Sequence, residues 1–413
     1  MISQTWCLLL VLGATAKDCK ETLVEHYYGQ NHDQFDDGAC YVPRSEVAPE
    51  HPSFAQGYFL KEAAEGPENA KCLDGTPALY YHRKGTGSGK NKWFLHQQGG
   101  GWCYTEESCV GRSKGGLGST KSDKNMSALD GGYFSMDPQQ NPLMHNWNAV
   151  ELRYCDGASL SGDKETPASV SGSTLHYRGR AILDAEIKSL LFDRGMKEAT
   201  DVVVSGCSAG GLATFLHCDH WADAIKEASP AAKVACMPDS GFFLDEDRRP
   251  MYGSNMRNVF RFQESSAAGL NAACVAAHSS DPEKCILAQW ASQHIKTPTF
   301  PLQSVYDAWQ TGNVLEGGAS PAITNDFGKN VTELVKTLLL GQPQHGIFLD
   351  SCHHHCGSWN GPKIDGTNSS FALQEWYEKG SQALPNKGFF NQNKDFPCNA
   401  CCTGSGDSEI ITV

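Results

Sequence analysis

Short, nearly unbroken apolar runs recur along the chain at residues 93–96, 149–154, 201–205, 233–237, 299–305 and 346–349. Each has the length of a strand and reads as a buried one. Between them the apolar spacing lengthens to a helical period. Residues 175–194 carry Ile182, Ile187, Leu190 and Leu191 among their apolar positions, and residues 212–227 follow the third run directly. Strand then helix, repeated, predicts an α/β fold with a mostly parallel sheet and helices on both faces. No internal repeat and no long low-complexity linker interrupts the pattern, so one continuous domain is expected over residues 17–413. The Gly-, Ser- and Asp-rich segment 105–147 and the segment 245–290, with Cys274 and Cys285, are expected to be insertions at its rim.

Composition narrows the class. The 413 residues are 40% hydrophobic and 20% charged, which excludes disordered, collagen-like and coiled-coil chains. A formal charge of −13 repels phosphate backbones and anionic lipid, so no nucleic-acid partner is expected and no binding to a membrane surface. Residues 1–16 hold a short apolar stretch ending in Ala14-Thr15-Ala16, the form of a secretory signal peptide, which puts the mature start at Lys17. No later run reaches the roughly 18 apolar residues of a membrane span. Removing Cys7 with the signal leaves 16 of the 17 cysteines, an even number that suits an oxidising compartment and a disulfide-rich, extracellular protein. Sequons at Asn125, Asn330 and Asn368 agree with that route. A competing zinc reading draws on Cys398-x-x-Cys401-Cys402 and on the run from Cys352 through His353, His354 and His355 to Cys356. Two ligands in five residues leave the rest of a zinc shell unspecified, so no metal and no cofactor is expected.

The sharpest chemical signal is Gly206-Cys207-Ser208-Ala209-Gly210, set between the apolar run 201–205 and a helical segment. A G-x-S-x-G between strand and helix is the nucleophile elbow of α/β-hydrolases, with Ser208 exposed at a helix N-terminus. A serine hydroxyl needs a base, and the base an orienting acid, in the chain order Ser, acid, His. The run 346–349 opens into His353, His354 and His355; His355 is the expected base and His354 the next choice. Asp307, after the run 299–305, is the expected acid, with Asp239 and Asp350 as rivals. Gly99-Gly100-Gly101 follows the run 93–96, and lipases and esterases use such a loop to bind an oxyanion. Gly100 and Gly101 with Ala209 are therefore the expected oxyanion hole.

Taken in order, Leu73-Asp74-Gly75-Thr76-Pro77, Gly99-Gly100-Gly101-Trp102-Cys103, Arg153-Tyr154-Cys155-Asp156-Gly157-Ala158-Ser159, the elbow, Asp239-Ser240-Gly241, Tyr306-Asp307-Ala308-Trp309-Gln310 and the run from Cys352 to Cys356 resemble the pectin acetylesterase family, which includes the Notum-type carboxylesterases. The resemblance spans about residues 70–402. It implies a secreted serine carboxylesterase of α/β-hydrolase type, removing acyl groups, acetyl foremost, from a polysaccharide such as pectin or from another ester. It also implies the triad Ser208, Asp307 and His355. A deacylase of lipidated protein and a silent glycan-binding relative are the alternatives. The chain departs from the family pattern at Gln98, Ala308 and His353-His354.

Overall fold

The computed structural model describes residues 52–265, 269–315, 319–398 and 400–402. The expected signal peptide, Cys7, Cys19 and Cys40 lie outside the described residues. The compact unit that begins at Ala55 holds all the chemistry discussed below.

Its strands are β1 (Phe54–Phe59), β2 (Leu79–Arg83), β3 (Lys92–Gln97), β4 (Met126–Ala128), β5 (Asn148–Leu152), β6 (Lys164–Val170), β7 (Ser173–Tyr177), β8 (Asp201–Cys207), β9 (Lys233–Asp239), β10 (Leu302–Ser304), β11 (Ile347–Asp350) and β12 (Phe389–Asn391). Ten of them form one sheet in the order β12-β11-β10-β9-β8-β3-β5-β2-β1-β4, and β6 and β7 form a separate antiparallel hairpin. From β12 across to β5 the pairings are parallel. β2 then pairs antiparallel with both β5 and β1.

The helices that matter here are α1 (Glu106–Arg112), α2 (Gly179–Phe192), α3 (Ala209–Ala228), α4 (Met251–Phe262), α5 (Ala308–Asn313), α6 (Pro321–Leu338) and α7 (Ser369–Lys379). Because strand side chains alternate, each central strand feeds two cores. Leu95, Val202, Val204, Val234 and Cys236 pack with α2, α3, α4 and α6. Phe94, Val203, Ala235, Met237 and Phe348 pack with Trp147 and α7, and Tyr133 and Phe134 of the 105–147 segment close over that second core. Burial on both faces is why these strands read as unbroken apolar runs.

Two expectations shift. The helix expected over 175–194 begins only at Gly179, because Ser173–Tyr177 is β7. The run 299–305 narrows to the short β10, although Thr299 also bridges to Cys236 of β9.

Candidate active site

The expected site residues gather at the carboxyl ends of neighbouring parallel strands, where α/β sheets place their chemistry. Ser208 ends β8 and caps α3 with φ 59° and ψ −121°, a left-handed conformation that a side chain adopts only when its surroundings compel it. Glycine at 210 is what permits it, since a Cβ there would lie 2.0 Å from the Gln97 carbonyl oxygen. Other positive-φ residues, Ser240 at 47° and Cys356 at 62°, lie in the loops after β9 and β11.

Asp307 follows β10, is fully buried, and caps α5: its Oδ1 accepts the Gln310 N–H at 2.9 Å. Its Oδ2 lies 2.7 Å from Nδ1 of His355, in the loop after β11. A carboxylate can only accept here, so Nδ1 carries the proton and Nε2 presents its lone pair. Nε2 is buried and meets no partner among the described residues. The Cys207–Cys356 disulfide ties the residue before Ser208 to the residue after His355, with Cα atoms 5.9 Å apart. The Ala308 N–H donates to the His354 carbonyl at 3.0 Å and couples the acid loop to the base loop.

The glycine loop borders Ser208 on its other side. A Cβ on Gly99 would come within 3.1 Å of the Ser208 Cβ. Gly100 and Gly101 have φ 136° and 63°, open to glycine alone in practice. The N–H groups of Gly100, Gly101 and Ala209 donate to no acceptor among the described residues. Arg112 of α1 instead holds the Gly100 carbonyl at 2.8 Å, and the Tyr154 hydroxyl donates to the Gly101 carbonyl at 2.8 Å. In a planar trans peptide, fixing the carbonyl of one residue fixes the N–H of the next.

The rival residues have other partners. His354 Nε2 reaches both Asp350 oxygens at 3.0 and 3.1 Å. Burial works against its charge, but Asp350, with Asp239 and Asp307 nearby, outweighs it and lifts the imidazole pKa to about 9. His354 is therefore a cation at neutral pH, paired to β11. Asp239 takes hydrogen bonds from the Tyr133 and Ser240 hydroxyls, and burial raises its pKa. The exposed His353 pairs with the Thr311 hydroxyl at 3.0 Å. The sulfurs weighed as metal ligands are joined in disulfides: Cys352–Cys402, Cys398–Cys401 and Cys207–Cys356.

Residues 50–403 match the family model described as pectinacetylesterase. The chain belongs to the pectinacetylesterase family. It is accordingly a carboxylic ester hydrolase. Pectin acetylesterase 5 of Arabidopsis thaliana is 34% identical over 371 residues, which cover 81% of this chain and 82% of that protein. The palmitoleoyl-protein carboxylesterase NOTUM of Schmidtea mediterranea is 25% identical over 317 residues, 72% of this chain and 58% of that one. Among solved structures, the Wnt deacylase Notum from Drosophila superposes with a TM-score of 0.73 at 23% identity, over 84% of this chain and 99% of that chain. That likeness establishes the α/β-hydrolase-like fold.

Within this pectinacetylesterase-family site, sequence reasoning passed over Arg112, Tyr154 and Ser159, which support the glycine loop, and Asp350 as the partner of His354. It also passed over an aromatic wall. Phe243 and Trp309 lie 6.2 and 6.5 Å, centroid to centroid, from the His355 ring, and Trp102 and Tyr252 pack on both. The signal for Tyr154 and Ser159 was present in the segment Arg153 to Ser159. The wall has no local signature, because its members come from four separate segments.

Proposed function

We propose that Ser208 is the nucleophile, His355 the base and Asp307 its orienting acid, and that the protein acts after export, removing acetyl groups from an acylated polysaccharide. The observation that carries this reading is the Asp307–His355 contact tied to the Ser208 elbow by a disulfide. His355 Nε2 takes the Ser208 proton as Oγ attacks the ester carbonyl; the imidazolium then protonates the leaving sugar oxygen, which departs as a hydroxyl, and water releases acetate by the reverse sequence. Asp307 holds the tautomer and stabilises the imidazolium. The N–H groups of Gly100, Gly101 and Ala209 receive the oxyanion, each donor worth about 3 kcal/mol. Phe243 and Trp309 stand beside the His355 ring, and the 34% identity to a pectin acetylesterase favours acetyl as the acyl group. The seven disulfides among the described residues favour an oxidising compartment.

The test is fluorophosphonate labelling with peptide mapping, alongside acetate release from acetylated pectin and acetylated xylan and hydrolysis of a long-chain aryl ester. Labelling at Ser208, loss of turnover in Ser208→Ala and preference for acetyl over the long chain are expected. Full turnover in Ser208→Ala defeats the mechanism; preference for the long-chain ester defeats the substrate assignment.

A further inference from the structure

The segment from Tyr154 to Ser159 lies between the glycine loop and the start of α3 without belonging to either. Ser159 is buried at φ 53°, followed by Leu160 at 61°. Its conformation is held from below: the buried Asp156 Oδ2 accepts the N–H groups of Ala158 and Leu160 at 3.1 and 2.9 Å, and the His217 ring of α3 donates to the Ser159 carbonyl at 2.8 Å. Every polar group of Ser159 is engaged. Its N–H donates to the Tyr154 hydroxyl at 3.0 Å, its Oγ accepts the Trp102 indole N–H at 2.8 Å, and the same Oγ donates to the Ala209 carbonyl at 2.7 Å. Tyr154 passes the chain on by donating to the Gly101 carbonyl, with the Arg112 guanidinium 4.9 Å from its ring centroid.

We infer that Ser159 and Tyr154 are positioning residues that hold the two halves of the oxyanion hole, the Gly100-Gly101 loop and the Ala209 helix start, in mutual register. This rests on the esterase reading of Ser208 given above. The physical case is one of shared attachment. The oxyanion donors come from two backbones that share no hydrogen bond between Gly100 or Gly101 and Ala209, and an oxyanion is stabilised only where donors converge within a few tenths of an ångström. Ser159 touches both sides, directly at Ala209 and Trp102 and through Tyr154 at Gly101. Two of its links keep their polarity near neutral pH, while burial raises the pKa of the supporting Asp156 to about 6. Burial raises the Tyr154 hydroxyl pKa, so it remains a donor, and burial lowers that of His217 to about 3, so the ring stays neutral.

The experiment compares wild type with Ser159→Ala, Tyr154→Phe and Ser208→Ala on an aryl acetate. It measures kcat and KM, the inhibition constant of phenylboronate, whose tetrahedral adduct places an oxygen in the oxyanion hole, and the melting temperature. Ser159→Ala and Tyr154→Phe are each expected to lose about 10- to 100-fold in kcat, with KM within about threefold and phenylboronate binding weakened by the factor lost in kcat/KM. Ser208→Ala should abolish both turnover and boronate binding. If either hub variant keeps kcat within about threefold of wild type, or loses kcat while phenylboronate binds as before, the inference is overturned. A loss of kcat matched by unfolding at the assay temperature in both variants also overturns it, by making the hub structural only. Full turnover in Ser208→Ala removes the esterase reading itself, and the hub's role with it.

Discussion

The two walls of the site are both tied by disulfides and differ in the polar contacts that hold them. On one side, the glycine loop is held by hydrogen bonds from Tyr154 and Arg112 and by the Cys103–Cys109 disulfide, which ties it to the helix that carries Arg112. On the other, the base loop is held by the Cys207–Cys356 and Cys352–Cys402 disulfides, by the His354–Asp350 ion pair and by the His355–Asp307 contact. The glycine side must hold still while charge appears in front of it. In the proposed mechanism the base side must hold a ring that itself gains and loses a proton, and its polar ties are pairs of opposite charge. Alkaline pH should therefore reach the base side, through the His354–Asp350 pair, more than the glycine side.

The strongest way to break this comparison is Asp307→Asn. An amide can still cap α5, so the fold is expected to persist by circular dichroism, while kcat falls on the order of 10⁴-fold as the imidazole loses its tautomer. A smaller variant effect would mean that His355 is oriented chiefly by its disulfide-tied loop. Next comes the double variant Cys207→Ser with Cys356→Ser. Loss of the tie should cost about 100-fold in kcat through misplacement of His355 and lower the unfolding free energy by about 2–4 kcal/mol in chemical denaturation. Unchanged activity in the double variant would show that the tie is not needed to place His355.

Arg112→Met tests the other side. Releasing the Gly100 carbonyl should reduce kcat by about 10-fold; an unchanged kcat would show that this carbonyl needs no anchor. The smallest effect is expected of His354→Asn. Because the folded-state pKa of His354 is raised from 6.5 to about 9, its contribution to stability is complete below pH 6.5 and is lost as pH rises through 9. Melting temperature of wild type should accordingly decline across that window, and that of the variant should change less. Parallel curves would remove the ion pair from the account.

Much of this was legible in advance because two signals are local. Strands β3, β5, β8, β9 and β11 have apolar residues on both faces, and the elbow at Ser208 imposes glycine at fixed positions. β1 and β2 went unread: Leu79-Tyr80-Tyr81-His82-Arg83 mixes aromatic and charged residues, and its burial depends on antiparallel neighbours far along the chain. β12 and β4 are three residues each, too short for a period to show. Among site residues, chain order pointed to Asp307 and His355, whereas Arg112 acts from a short surface helix on a backbone carbonyl, a relation with no sequence mark. The adjacent histidines looked alike as text. They part only in three dimensions, where His355 meets Asp307 and His354 meets Asp350.

The bond between residues 207 and 356 spans a sequence separation of 149. During synthesis the residues of the elbow therefore emerge well before the loop that carries His355. In the proposed mechanism, then, competence waits on the closure of that loop, and the late bond is the covalent mark of it.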